Sequence, residues 1–300
     1  MPPGRPFQRD NRKNLMMELP GSLPSRDFMV IRDLILERSG IYIRETRNDY
    51  LEYRIKERML ANSMDNFEEY YYFLKYSPAT TGEFQQLLNL ITVQETSFFR
   101  NPDQLNSFKN IILKEIIAKK LNAGDKLINI WSSASSTGEE ATTIAMILNE
   151  TLDFPLNWQI KILGTDISTR ALDMAKKGVY ANARLDGVPD GYMDKYFIKK
   201  DNTFKVKESI SNFIEFRHLN LSTGIYNFMG PRPTLFDVIF CRNVFIYFTD
   251  EVKGNIAKEF YKLLNPGGYL LLGNAESVDV RKVPFNMAFL PGGMVYQKPK

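Results

Sequence analysis

The chain is nearly devoid of cysteine and histidine: among 300 residues there is one of each, Cys241 and His218. A lone thiol excludes an intrachain disulfide and any zinc or iron–sulfur site that needs several thiolates in register. A lone imidazole leaves Ser-His-Asp hydrolysis and histidine-held catalytic metals poorly served. Catalysis, if present, is expected to run without an imidazole base and without a metal. His218, beside Asn220, reads as a structural histidine. Cys241, inside an apolar strand, reads as inert packing, which argues against covalent cysteine chemistry. Long hydrophobic runs are also missing. Stretches such as Tyr269–Leu272 stop far short of the roughly 20 residues that span a bilayer. Met1–Asn14 mixes Pro3, Arg5, Pro6, Arg9 and Lys13 without the apolar core of a signal peptide. A cytoplasmic protein with no direct membrane insertion is expected. Nor is there an excess of one charge: 39 Lys and Arg against 35 Asp and Glu leave a net +4. That balance suits an acidic partner and falls short of a nucleic-acid footprint. The phosphate-cradling patterns G-x-G-x-x-G and G-x-x-x-x-G-K-S/T are absent as well.

What the chain has is apolar pattern. Hydrophobic residues make up 44% of it, enough for one large or two ordinary cores. From residue 25 to about 92 the spacing is helical. Phe28, Ile31, Leu34 and Ile35 share a face and stop at Gly40. Leu51, Ile55 and Met59 share another. Asp65 and Glu68 have the spacing of a capping-box variant ahead of Phe67, Tyr70, Tyr71 and Leu74. Thr80 and Glu83 repeat that spacing before Phe84, Leu87, Leu88 and Ile91. Asn101 and Pro102 read as cap and first-turn proline of a helix reaching about Lys120. Beyond it, short apolar strands alternate with helices: Lys126–Trp131, Gln159–Gly164, Phe213–Phe216, Phe236–Cys241 and Tyr269–Leu272. Alternation of this kind predicts a parallel sheet with helices on both faces. Within the long stretch Tyr180–Ile210, Phe197–Lys199 and Thr203–Val206 flank Asp201-Asn202 and predict an inserted β-hairpin. Pro291-Gly292-Gly293 predicts a closing antiparallel hairpin over Met287–Gln297. The expected organisation is a flexible segment at 1–24, a small all-α domain at 25–92 and an α/β sheet domain at 93–300. The last includes a linker at 93–101 and an inserted antiparallel β-subdomain at about 180–212.

The chemistry-bearing residues fall at strand ends. After the first strand, Trp131-Ser132-Ser133-Ala134-Ser135-Ser136-Thr137-Gly138 lets a ligand approach the backbone, and Glu139-Glu140 follow. Two acids there disfavour phosphate and suit a cation. Glu140 could hold the amino acid end of S-adenosylmethionine, or both acids could simply favour a helix's first turn. After the second strand, Asp166 could take both hydroxyls of a ribose or could cap the next helix with Ser168. Arg242-Asn243 end another strand at the same edge. Thr92–Arg100 places polar side chains and an arginine between the two domains.

Gln94-x-Thr96-x-Phe98-Phe99-Arg100, Ser136-Thr137-Gly138-Glu139-Glu140, Cys241-Arg242-Asn243-Val244-x-Ile246-Tyr247-Phe248 and Pro266-Gly267-Gly268-Tyr269 together resemble the CheR family of chemotaxis receptor methyltransferases, in the family's order and over nearly the whole chain after residue 25. The resemblance implies a class I S-adenosylmethionine-dependent methyltransferase fold, Rossmann-like, behind a helical receptor-recognition domain. It implies that Gln94, Thr96, Arg100, Glu140, Asp166, Asn220, Leu221, Arg242 and Asn243 line the cofactor pocket, and that Arg100 and Tyr247 lie nearest the transferred methyl group. S-adenosylhomocysteine is the implied product. Departures from the family's usual residues are Gln94 for asparagine, Ala141 for proline and Asn274 for histidine.

The implied reaction is esterification of glutamate side chains on the cytoplasmic domains of methyl-accepting chemotaxis receptors. A carboxylate with a pKa of about 4.3 is already ionised at neutral pH and needs no base. The basic helix carrying Arg54 and Arg58, with Arg44, Arg47 and Lys56 nearby, is the expected docking face for acidic receptor helices, although Glu52 and Glu57 make ordinary ion pairs an alternative. A monomer is expected. The rival readings are a methyltransferase acting on another protein, RNA or a small molecule, and a non-catalytic S-adenosylmethionine-binding scaffold. Aromatics are not interleaved with basic clusters as RNA binding would favour.

Overall fold

The computed structural model describes residues 25–76, 80–153, 155–224, 226 and 235–300. The expectation for residues 1–24 lies outside them. The chain divides into two compact units, one of residues 43–91 together with the segment up to Arg38, the other of Ser39–Tyr42 and Thr92–Lys300.

The first unit is helical, with helices Ser25–Ser39, Asn48–Ala61, Phe67–Tyr76 and Thr80–Ile91. Each buries the stripe its spacing predicts: Ile31, Ile35, Leu51, Ile55, Met59, Leu74 and Leu87 are all fully enclosed. At about 1.5–3 kcal/mol for each buried aliphatic side chain, this stripe is the main source of the unit's stability. The caps differ from the expected ones. Asn66, not Asp65, begins the third helix, its Oδ1 accepting the Glu69 N–H at 3.1 Å. Glu83 does not cap its own helix. It is buried and receives two guanidinium bonds from Arg58, at 2.9 and 2.6 Å, and the Tyr70 hydroxyl at 2.8 Å. The side chain of Thr80 lies outside the described residues.

The second unit opens with a helix over Pro102–Ser107 that continues through a π-helical turn, Phe108–Ile112, to Leu113–Asn122. Asn101 serves its start through a left-handed backbone, φ 59°, and makes no side-chain cap bond. There follow β1 (Leu127–Ser132), β2 (Gln159–Asp166), β3 (Val179–Ala181), β4 (Phe197–Lys200), β5 (Thr203–Val206), β6 (Ile214–His218), β7 (Phe236–Cys241), β8 (Leu264–Leu272), β9 (Asn286–Leu290) and β10 (Gly293–Gln297). The main sheet has the order β6-β2-β1-β7-β8-β10-β9. β6, β2, β1, β7 and β8 run parallel, and β10 and β9 close the edge antiparallel. Alternate residues of β7 feed opposite cores: Val238 and Phe240 face the packing of Ile128, Ile130 and Leu271, while Ile239 and Cys241 face that of Trp131, Phe260 and Leu270. Burial on both faces is what forces the near-continuous apolar strands.

The inserted subdomain is a three-stranded antiparallel sheet, β3-β5-β4, one strand more than the expected hairpin. Phe98 is wedged against it, edge-on to Tyr180 and Phe197 with ring centroids 4.9 and 5.6 Å apart. Phe98, within the segment read as a linker, is therefore part of this unit's core.

Candidate functional site

β1 pairs with β2 on one side and β7 on the other, so the connections leaving β1 and β7 diverge and open a crevice at the carboxyl edge of the sheet. Open α/β sheets bind ligands in that crevice. The loop after β1 is drawn tight by its neighbours: Ser133 N–H donates to Phe240 O and Ser135 N–H to Thr165 O, both at 2.8 Å. Ser136 and Gly138 then take positive φ, 49° and 95°, and turn the chain into the helix Glu139–Thr151. A Cβ on Gly138 would lie 2.9 Å from that of Ala175 and 3.0 Å from the Tyr180 hydroxyl, so only glycine fits.

The two acids of this loop have different surroundings. Glu139 is fully enclosed and structural, its oxygens taken by Arg184 at 3.0 Å and the Thr137 hydroxyl at 2.6 Å. Glu140 points across the crevice. Its Oε1 accepts from the Ser132 hydroxyl at 2.7 Å, and its Oε2 faces the Arg242 guanidinium at 3.3 Å. Burial pushes the Glu140 carboxyl above the usual carboxylate range, opposed chiefly by the charge of Arg242. Burial likewise lowers the Arg242 guanidinium, opposed by Glu140. Arg242 also donates to the carbonyl of Arg100 at 2.5 Å, which ties the 94–100 segment to β7.

Asp166 ends β2 and accepts the N–H groups of Ser136 and Ser168, each at 2.8 Å. The cap of the following helix is Ser168, whose Oγ accepts from Ala171 N–H at 3.2 Å. Asp166 thus joins two strand-end loops with its carboxylate, and burial raises its pKa despite those backbone bonds. Asn220 and Leu221 follow β6, with Asn220 Oδ1 holding the Ser222 N–H at 3.0 Å and Leu221 buried. His218 bonds the Ile167 carbonyl at 3.1 Å through Nε2. Burial drives the Cys241 thiol well up, which makes it unreactive.

Gln94 reaches the loop after β1: its Oε1 accepts from the Ser136 hydroxyl at 2.8 Å and its Nε2 donates to Thr92 at 3.0 Å. The carbonyl of Thr96 faces Arg184 at 3.5 Å. Arg100 extends its guanidinium to the Glu95 carbonyl at 3.0 Å. Tyr247 lies in a 3₁₀ turn after β7, its carbonyl accepting the Tyr42 N–H at 2.8 Å beside the bridge of Ile41 with Phe248. All of these belong to the second unit. Arg54 and Arg58 belong to the first. Arg54 is half-buried, paired with Glu57 at 2.7 Å and stacked near Tyr50 and Tyr53, whereas Arg58 is committed to Glu83.

Sequence reasoning missed Arg184 and Glu276, whose partners, Glu139 for the one and the amides of Asn243 and Gly273 for the other, are brought to them by the fold. One further feature marks the crevice. Among the described residues, the buried side-chain atoms without a hydrogen-bond partner include Ser135 Oγ, Arg242 Nε, Asn243 Oδ1 and Glu276 Oε1. All of these lie just past the carboxyl ends of β1, β7 and β8. Buried polar groups are normally satisfied, so this clustering points to a polar ligand.

Residues 94–293 match the CheR methyltransferase, SAM binding domain, and residues 26–92 match the CheR methyltransferase, all-alpha domain. The chain is 35% identical to the chemotaxis protein methyltransferase of Borreliella burgdorferi, over 82% of this chain and 86% of that one. It is 31% identical to the chemotaxis protein methyltransferase of Escherichia coli, over 85% and 86%, and 31% identical to chemotaxis protein methyltransferase 2 of Vibrio cholerae, over 91% and 93%. The crevice therefore sits in an S-adenosylmethionine-binding domain, and the chain belongs to the CheR methyltransferase family.

Proposed function

We propose that this chain esterifies glutamate side chains on the cytoplasmic domains of chemotaxis receptors, using S-adenosylmethionine and releasing S-adenosylhomocysteine, in the cytoplasm. The observation that carries this reading is the group of buried charges at the carboxyl edge, Glu140 with Arg242 and Asp166 across the loop, among polar atoms that lack partners. The donor set fits the cofactor. Glu140 suits its ammonium, Asp166 its ribose hydroxyls and Asn243 its polar edges, with Gln94, Thr96, Asn220 and Leu221 completing the walls. When bound, S-adenosylmethionine supplies a methyl group on a positively charged sulfur, which a substrate carboxylate takes by displacement without a proton transfer.

What this chain must add is alignment, worth about 7–11 kcal/mol in favourable intramolecular cases. Arg100 orients the substrate carboxylate as a charge-assisted donor, and Tyr247 provides polar contact near the methyl group. No imidazole is required, in keeping with a chain whose one histidine is bonded to a backbone carbonyl. Arg54 on the helix Asn48–Ala61 is the cation offered to acidic receptor helices, with Arg58 holding that helix from within.

Incubation with labelled S-adenosylmethionine and purified receptor cytoplasmic fragments tests the proposal. Label that enters the receptor and is released by mild base is expected, because esters hydrolyse there. Base-stable label would point to a different acceptor atom, and cofactor binding with no transfer would point to a scaffold. A pH dependence follows from the raised pKa of Glu140. Its ionised form attracts the ligand's ammonium, so calorimetry should show affinity falling as pH drops through that raised value and levelling above it.

A further inference from the structure

Asn243 adopts a left-handed backbone, φ 59°, two residues after the end of β7. Asparagine enters that region more readily than most non-glycine residues, but holding its side chain in one place there depends on the surroundings. The fixing group is Glu276, three residues beyond Gly273 at the end of β8. Its Oε2 accepts the N–H of Asn243 and the N–H of Gly273, both at 2.7 Å, so one carboxylate oxygen clamps the loops leaving two adjacent strands. The Glu276 N–H returns to the Gly273 carbonyl at 2.9 Å and closes the turn. Gly273 leaves no room for a side chain: a Cβ there would stand 2.7 Å from Glu276 Oε2 and 3.0 Å from both nitrogens of Asn243. Glu276 is itself 8% exposed, and its Oε1, like Asn243 Oδ1, is buried without a partner among the described residues. A buried side-chain oxygen left without a partner is costly for stability alone.

We propose that Glu276 is a positioning residue of the cofactor site, holding Asn243 in its left-handed conformation so that the Asn243 side chain is preorganised for the ligand. The inference rests on the reading of Asn243 as a cofactor contact. It predicts that reach matters and charge does not. Glu276→Asp keeps the charge but withdraws the oxygen by one methylene, while Glu276→Gln keeps an acceptor at the same place and removes the charge.

The test is calorimetric titration of the full chain with S-adenosylhomocysteine. Glu276→Asp should weaken binding about tenfold, the effect of losing a buried hydrogen bond, whereas Glu276→Gln should stay within about threefold of the parent. In an Asn243→Gly background, where glycine adopts positive φ unaided, Glu276→Asp should cause no further loss. Failure of the parent chain to bind would reject the cofactor reading itself. Parent binding with Glu276→Asp unchanged would reject the positioning role alone, as would an equal loss in Glu276→Gln or an undiminished loss in the Asn243→Gly background. Should Glu276→Asp fail to fold, Glu276→Gln decides: near-parental affinity supports the clamp, and a tenfold loss overturns it.

Discussion

Replacing Arg242 with methionine should both destabilise the sheet unit and abolish cofactor binding. Its guanidinium is the only cation within ion-pair distance of Glu140 among the described residues, with side chains 3% and 14% exposed. Removing one member of a buried pair leaves the other charge uncompensated and costs about 3–5 kcal/mol. For a unit of this size that lowers the melting temperature by roughly 10 °C, since each kcal/mol corresponds to about 2–4 °C. The loss of the Arg242 bond to the Arg100 carbonyl should also release the 94–100 segment from β7. The pH dependence has a defined sign. Glu140 already titrates above its unfolded value because of burial, and without Arg242 it should rise further. A carboxyl raised in the folded state contributes stability that is present below the unfolded pKa and lost as pH rises through the folded one. The deficit of R242M should therefore be largest near neutrality and shrink in mild acid. The double variant E140Q/R242M should recover much of the stability and none of the binding. Melting of R242M at the parental temperature at pH 7 would show that the pair is not the support assigned to it.

The second large effect lies in the helical unit. Reversal of Arg58 to glutamate places a negative charge against Glu83, which is buried and already accepts from Tyr70. Burial and the Glu83 charge push the Tyr70 phenol well up, so it stays neutral, and its single proton is already given to Glu83. R58E should unfold the helical unit, at a cost of about 3–5 kcal/mol or more. R54E should cost less than about 1 kcal/mol, because the Arg54–Glu57 pair is partly solvated. Both variants should lose receptor methylation, but only R54E should do so with helical circular dichroism and cofactor affinity intact. Full methylation by R54E would remove Arg54 from the docking surface.

These two arginines also show where sequence pattern gives out. Four residues apart on one helix, they look alike on paper, and both suggest a basic face. What separates them is Glu83, which sits on another helix and reads locally as a capping residue. Its true partner is set by helix packing, which periodicity does not encode. The same division runs through the sheet unit. Strand β7 is legible to the residue, because burial on both faces demands an unbroken apolar run. Strand β3 is not, because three residues are too few to display a period and its pairing with β5 decides its state. At the site, Glu140, Asp166 and Arg242 are legible because they stand at strand ends, where any open α/β sheet gathers its ligands. Glu276 and Arg184 stand in loops that the sheet order brings to the same edge from far along the chain, and no local signal marks them.

The most direct test of the central claim is a crystal structure of the full chain with S-adenosylhomocysteine. The ligand should lie across the carboxyl ends of β1, β2 and β7, its ammonium at Glu140 and its ribose at Asp166, beside Asn243. Density instead at the opposite edge, in the cleft of about 520 Å³ lined by Lys120, Asp125 and Asp237, would contradict the account.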